Sequence, residues 1–251
     1  PAILQALGGR VGSMLELGPG SGAKLRTLVD AAAHPGLVVH LVDVSRAALD
    51  AAGRALADSP LRRIVPHEAT YDDGVLALRD EAAPGRALVL FLGSNLGNFD
   101  PPGADALLVT IRSALSAGDA LLLGTDLVKA EGELLLAYDD PLGVTAAFNL
   151  NLLARANREL GADFDLAAFD HHAFYEPRQR RIEMHLVSRR AQTVRVCGQT
   201  FGFDEGESLH TENSYKYTIE QFRALARDAG WRPAAVWVDD ERLFSVHWLT
   251  L

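Results

Sequence analysis

Apolar positions in the first half of the chain come in short continuous runs, each followed by a polar stretch with helical spacing. Residues 13–17 are mostly apolar and end in glycines, and 22–33 then read as a helix rich in Ala and Leu. Residues 38–42 repeat the strand signal. Ser45 is placed to cap the helix predicted over 46–57, because its hydroxyl can accept from an otherwise unpaired N–H. Residues 62–65 make a weaker strand. Residues 87–92 are apolar without a break, the pattern of a central parallel strand covered on both faces. A helix over 101–116 and a fifth strand over 120–124 follow. Strands and helices alternating at this spacing demand right-handed crossovers, so the predicted fold class is α/β with an open, doubly wound sheet. Ligands of such sheets bind beyond the carboxyl ends of the strands.

After Asp126 the rhythm changes. Residues 131–138 and 144–160 read as helices, while the segment at Phe174, 181–187 and 192–196 read as antiparallel strands. A capped amphipathic helix over 218–229 and two strands, 233–238 and 244–251, joined by a polar turn at 239–242, return to the first pattern. The expected organisation is one domain from 1–127 and 218–251, interrupted by an α+β domain at 128–217. No internal repeat or low-complexity tract interrupts it.

A hydrophobic content of 48% is enough to build a sizeable core. Lys and Arg number 24 against 33 Asp and Glu, a net charge of −9 that opposes binding to a phosphate backbone or an anionic bilayer. Neither nucleic acid nor membrane is expected as a partner, and no run reaches the roughly 18 apolar residues of a membrane helix. A single cysteine, Cys197, closes no internal disulfide. A cytoplasmic location is therefore expected, with Cys197 read as a small, half-buried strand residue. Because the sequence opens at Pro1 without a basic-then-apolar leader, a fragment or processed chain is expected.

Candidate chemistry starts at Glu16-Leu17-Gly18-Pro19-Gly20-Ser21-Gly22, which closes the first strand and opens a helix. Glycines let backbone approach a ligand and adopt positive φ. Gly18, Gly20 and Ala23 alone also satisfy a dinucleotide-binding pattern. Glu16 ahead of the loop and the third glycine, Gly22, give a tighter form that resembles the first motif of S-adenosylmethionine (SAM) methyltransferases. Asp43 ends the second strand, where a carboxylate accepts from both hydroxyls of a ribose, a device that NAD enzymes share. It equally suits a cap on the helix at Ser45. Lys24 lies one turn into the first helix. Tyr71-Asp72, after the third strand, stands where methyltransferases contact adenine, or makes an ordinary turn.

Further blocks narrow the field. They are Gly93-Ser94-Asn95-Leu96-Gly97-Asn98-Phe99, Leu122-Leu123-Gly124-Thr125-Asp126-Leu127-Val128-Lys129, Ala137-Tyr138-Asp139-Asp140, Val144-Thr145-Ala146-Ala147-Phe148-Asn149-Leu150-Asn151, Asn157-Arg158-Glu159-Leu160-Gly161-Ala162-Asp163-Phe164, Arg181-Ile182-Glu183-Met184 and His210-Thr211-Glu212-Asn213-Ser214-Tyr215-Lys216-Tyr217. In this order the sequence resembles the ergothioneine-pathway L-histidine Nα-methyltransferases from about Ser13 onward. The resemblance implies a class I, Rossmann-like SAM methyltransferase domain with an inserted substrate-binding domain. It also implies successive methyl transfer from SAM to the α-amino nitrogen of histidine, giving hercynine. Carried over by position, Gly18, Lys24, Asp43, Tyr71 and Asp72 would contact SAM, with Gly93 beside its methionine part. Asn98 and Tyr138 would hold the amino-acid head and form the catalytic pair. Glu212 and Ser214 would hold the imidazole, and Thr145, Phe148 and Met184 would shape its pocket. Thr70 stands where the family commonly has an acidic residue. The family also carries a further N-terminal segment that lends an aromatic residue to the pocket, a role given to no residue of this sequence. A monomer with a small-molecule substrate is expected.

The residue types agree with that role. An imidazole has two ring nitrogens, so a carboxylate beside a hydroxyl can bind both. A spacing of two puts Glu212 and Ser214 on one side of an extended segment. The activated methyl comes with the cofactor, so alignment of a neutral amine carries most of the catalysis. No dedicated strong base is expected, and Tyr138 or a water takes the later protons. His171, His172, His185 and His210 lack the carboxylate and cysteine spacings of a metal cluster, and no metal site is expected. Two other functions stay open from the residues alone: transfer to another amine, and SAM binding without catalysis.

Overall fold

β1 (Val11–Leu17) is buried at every position although it carries Ser13 and Glu16, because it lies inside a seven-stranded sheet. The computed structural model describes Gln5 and residues 11–32, 34–81 and 84–251, the side chains of 79–81 excepted. Ala33, the last residue of the first predicted helix, lies outside the described residues. From β1 the chain continues through α1 (Ala23–Ala32), β2 (Val38–Asp43), α2 (Arg46–Ala55), β3 (Arg63–Glu68), α3 (Tyr71–Glu81), β4 (Arg86–Phe91), α4 (Pro101–Ser113) and β5 (Ala120–Asp126). Then come α5 (Glu131–Tyr138), α6 (Val144–Leu160), β6 (Phe169–Glu176), β7 (Arg181–Ser188), β8 (Gln192–Val196), β9 (Gln199–Phe203) and β10 (Ser208–Tyr215). The last elements are α7 (Ile219–Asp228), β11 (Arg232–Val238) and β12 (Phe244–Thr250). Among the described residues no helix is long and apolar enough to cross a membrane.

The chain divides into two compact units, one formed by residues up to Leu127 together with Tyr217–Leu251, the other by Val128–Lys216. In the first, the strand order is β11-β12-β5-β4-β1-β2-β3. β1 pairs in parallel with both β2 and β4, and β12 runs antiparallel to β5. The apolar run of β4 has a simple cause. Leu88 and Leu90 enter a core with Leu25 and Val29 of α1 and Leu49 of α2, whereas Val89 and Phe91 enter the opposite core with Val75 of α3 and Leu107 of α4. Both faces are covered, so alternation disappears. The order turns at the β1/β4 pair, the switch point at which open sheets of this kind bind ligands.

Ser45 caps α2 as expected, its hydroxyl accepting from Ala48 N–H at 3.3 Å. The crossover after β3 is a helix opened by Tyr71-Asp72, which excludes the ordinary turn that was the alternative to an adenine contact there. Thr70 Oγ accepts from Asp73 N–H and donates to the Asp73 carboxylate, closing the helix start. Gly74, which punctuates the sequence like a turn residue, is required by packing: a Cβ there would lie 2.2 Å from Val42 Cγ1.

The second unit has a three-stranded antiparallel sheet, β10-β7-β6, and the hairpin β8-β9. One small core joins Leu153 of α6 with Phe169, Leu186 and Phe203, and another joins Leu134 of α5 with Ala173, Ile182 and Met184. Cys197 is not a half-buried strand residue: it is exposed, with φ of 49°, in the turn with Gly198 that closes the hairpin. Tyr217, expected at the end of the insertion, belongs to the first unit, where it bridges Leu127 and its N–H donates to Asp126 C=O.

Candidate active site

Three glycines of the loop after β1 have positive φ: Gly18 at 69°, Gly20 at 54° and Gly22 at 75°. Gly18 N–H donates to Val42 C=O, which ties the loop to the end of β2. A Cβ at Gly18 would stand 3.0 Å from both Tyr71 Oη and Asn95 Nδ2, so only glycine leaves this space open. The loop borders a cavity of about 410 Å³ whose walls include Glu16, Gly18, Lys24, Asp43, Tyr71, Gly93 and Asn95. Five expected cofactor residues thus meet at the switch point. Asp72 does not join them; it is exposed on the first turn of α3, one helical step round from Tyr71, whose ring packs into the core against Phe91. Asp43 serves two purposes, since its Oδ1 accepts from Ser45 N–H at 2.8 Å while the residue lines the cavity. Burial and the neighbouring Asp43 charge raise the Tyr71 pKa.

Glu16 is the most perturbed group here. It is 3% exposed, its Oε2 has no hydrogen-bond partner among the described residues, and burial pushes its pKa up to about 8 against the opposing pull of the Lys24 ammonium. A larger, mainly apolar cavity of about 620 Å³ shares Lys24 and Gly93 and runs along Leu28, Leu122 and Phe244. It has no carboxylate in its walls, so the smaller cavity is the better match to a polar nucleoside. The loop after β4 makes a short 3₁₀ turn, Asn95–Asn98, entered through Ser94 at φ 57°, and leaves Asn98 exposed.

In the second unit, Tyr138 Oη lies 2.7 Å from Ser214 Oγ, and Lys216 Nζ donates to both, at 2.8 and 2.9 Å. The ammonium also stands 4.5 Å from the centroid of the Tyr138 ring. Glu212 pairs across the strands with Met184, and Ser214 with Ile182, so both polar side chains share the sheet face on which Met184, Ile182 and Tyr138 pack. A β-bulge between His210 and Glu212 selects this face. With His210 opposite His185, an unbroken ladder would put Glu212 opposite Glu183 on the other face; one extra residue turns it over. Thr211, in the bulge, donates its hydroxyl to Met184 C=O. Burial raises the Glu212 pKa and the Lys216 charge lowers it. Behind Tyr138, His171 Nε2 donates to its carbonyl at 2.8 Å, and Asn149 Nδ2 donates to His171 Nδ1 at 3.0 Å, which fixes the ring as the Nε2–H tautomer.

Two expected pocket residues behave differently. Thr145 spends its hydroxyl on Ala137 C=O and its N–H on Asp140, joining α5 to α6. Phe148 is 63% exposed: Asn149 and Leu153 are the buried residues of α6, and Phe148 is one helical step off that face.

A sequence profile of the family described as histidine-specific, SAM-dependent methyltransferases matches residues 1–251. The chain belongs to that family. This methyltransferase is 44% identical over 232 residues to the histidine N-alpha-methyltransferase of Mycolicibacterium smegmatis, covering 90% of the chain and 71% of the relative. It is 40% identical over 241 residues to the enzyme of the same name from Mycobacterium tuberculosis, covering 94% and 74%. Its fold is like that of the CcbJ methyltransferase from Streptomyces caelestis, with a TM-score of 0.54 at 16% identity over 99% of this chain and 92% of the other. The fold is the class I methyltransferase fold and the cofactor is SAM. The cavity at β1 fits that cofactor: Gly18 has no room for a Cβ, Asp43 suits ribose hydroxyls, and the unpartnered Glu16 oxygen suits a cationic ligand.

Two residues of this methyltransferase, Asn95, which faces Gly18, and Lys216, have no role in the sequence pattern alone. A signal for Lys216 was nonetheless present, because it continues the spacing of two from Glu212 and Ser214 just past the end of β10. Nor does the pattern show what register does to the histidines. On the opposite sheet face Glu183, His185 and His210 bring possible ligand atoms within 4.8 Å of one another, although no sequence spacing links His210 to the other two. Their geometry serves hydrogen bonding better than metal binding. The imidazoles stack at 4.5 Å with 12° between planes, so their in-plane lone pairs do not converge, and Arg181 already holds Glu183 Oε1.

Proposed function

We propose that this methyltransferase transfers methyl groups from SAM to the α-amino nitrogen of L-histidine, up to trimethylhistidine (hercynine), as a step of ergothioneine biosynthesis. The observation that carries the substrate is Glu212 and Ser214 on one strand face beside Tyr138. A half-buried carboxyl with no hydrogen bond inside its unit and a hydroxyl two residues on suit the two nitrogens of an imidazole. A purely apolar ring would leave that carboxyl unpaired, at a cost of about 1–3 kcal/mol or more. In this assignment the sheet unit holds the cofactor through Gly18, Lys24, Asp43, Tyr71 and Gly93. In the second unit Tyr138 holds the amino-acid head, Glu212 and Ser214 the ring, and Met184 the surround.

SAM, when bound, supplies a sulfonium-activated methyl. The chain's own residues need then only bind, orient and exclude water, with the α-amine presented neutral and in line. No side chain in the proposal acts as a strong base; Tyr138 or a water receives later protons. The enzyme is further proposed to work as a cytoplasmic monomer on its small-molecule substrate.

Mass spectrometry of products after incubation with SAM and each of the twenty amino acids tests the assignment, with methylated histidine as the expected product. Glu212→Ala should raise the histidine KM by about 10- to 100-fold, the equivalent of one hydrogen bond to a charged group, while calorimetric affinity for the cofactor stays within about twofold. Equal loss of both would contradict the pocket. Cofactor binding with no product from any amino acid would indicate a binding module, and preferred turnover of another amino acid would indicate a different amine substrate.

A further inference from the structure

We propose that Lys216 sets the hydrogen-bond polarity of the Tyr138–Ser214 pair, making it a donor toward a bare nitrogen of the substrate ring, and is thereby a specificity-determining residue. The proposal rests on the histidine assignment above and deepens it.

Lys216 lies just past the end of β10 at 3% exposure, deep enough that its charge needs partners. An ammonium has three N–H donors and no acceptor, so its contacts with Tyr138 Oη and Ser214 Oγ are both donated by Lys216. The two oxygens are also bonded to each other. Each hydroxyl has one hydrogen and two acceptor positions. Lys216 fills one acceptor position on each oxygen, and the hydrogen shared between them fills a third. One hydroxyl hydrogen is spent inside the pair; the other is left over to point outward. If Tyr138 donates to Ser214, Ser214 has both acceptor positions filled and can only donate. If Ser214 donates to Tyr138, the tyrosine hydroxyl becomes the outward donor. Either way one O–H points outward and one acceptor position stays open, on the oxygen that donates within the pair; with Tyr138 on the amino-acid head, the first arrangement gives the ring the Ser214 O–H alone. Without the ammonium, each oxygen would keep one further acceptor position beside it.

Glu212 provides the complement, a carboxyl on the same strand face, two residues before Ser214. Donor on one side and acceptor on the other match a ring with one N–H and one bare nitrogen. A ring with two N–H groups would meet an O–H head-on and feel the Lys216 charge, and a ring with no nitrogen would satisfy neither group. The ammonium also lies over the face of the Tyr138 ring, a second contact that favours this placement.

The test is a competition. The full chain, as wild type, Lys216→Met and Lys216→Gln, is incubated with SAM and an equimolar mixture of histidine and β-(2-thienyl)alanine, whose ring is of similar size but has no nitrogen. The ratio of methylated products, read by mass spectrometry, reports the ratio of kcat/KM values. Lys216→Met should lower the histidine preference by about 10- to 100-fold, and Lys216→Gln, which keeps an N–H donor without the charge, should lower it by less. A supporting role in packing alone would depress both products in proportion; an unchanged ratio overturns the proposal. If Lys216→Met no longer melts cooperatively, Lys216→Gln decides by the same criterion. Failure of the histidine assignment itself is visible in the wild-type arm, as absent methylhistidine or a preference for the thienyl compound.

Discussion

Replacing Glu16 by glutamine removes one ionisable group from the wall of the SAM cavity and nothing else of similar size. Burial carries its pKa from an ordinary 4.5 to about 8, so the cofactor-free protein holds this carboxyl protonated near neutrality. The sign follows from linkage: a carboxyl with a raised folded pKa binds its proton more tightly folded than unfolded. Its contribution is fully present below pH 4.5 and is lost as pH climbs through 8. The displacement corresponds to about 5 kcal/mol in total, of which about 4 kcal/mol falls between pH 5 and pH 8. Urea unfolding of wild type and Glu16→Gln at several pH values in that window, without cofactor, isolates the effect, because all other titrations cancel in the difference. The variant should gain on the wild type steadily as pH rises. A difference that stays flat across the window would mean that Glu16 is ionised in the folded state, and the desolvation argument would be refuted. The same carboxyl should ionise when cationic SAM arrives, so calorimetry in buffers of unlike ionisation heat should find proton release in the wild type and none in the variant.

His247 provides the opposite dependence: buried among Thr125, Ser245 and Phe222, with Arg223 nearby, its pKa falls to about 4. Its stabilising effect is present above about 6.5 and lost as pH falls toward 4, a loss of at most about 3 kcal/mol that His247→Asn should flatten in acid unfolding curves. Gly22→Ala should destabilise by at least about 2 kcal/mol in urea, since φ is 75° and the new Cβ would lie 2.9 Å from Ala52 Cα. Gly20→Ala, at φ 54° with nothing within 4 Å, should cost only about 1 kcal/mol; equal effects would discount the packing against α2.

The sheet was legible where both faces are buried, because strands such as β4 leave an unbroken apolar run. α3 was not, since Asp72, Asp73 and Gly74 are turn formers in isolation and become a helix start only through Thr70 and the close approach to Val42. The cofactor loop could be read from its glycines and Glu16, but the pKa of that carboxyl depends on burial that no local pattern encodes. In the second unit, alternation put Glu212 with Ser214, yet the face they occupy depends on one bulge residue. Cross-strand meetings such as His185 with His210 are long-range consequences of register, invisible in spacing.

The seam at Leu127 and Tyr217 has a consequence for how such enzymes diversify. The polypeptide departs from the sheet and rejoins it at two residues that bridge each other, stitched by Tyr217 N–H to Asp126 C=O. A guest whose two ends meet at a single point puts no tension on its host, so its length and content can change while the methyl-donor cradle keeps its shape. Under the proposed assignment, exchanging what hangs from that seam would change the acceptor and leave the methyl donor's cradle in place.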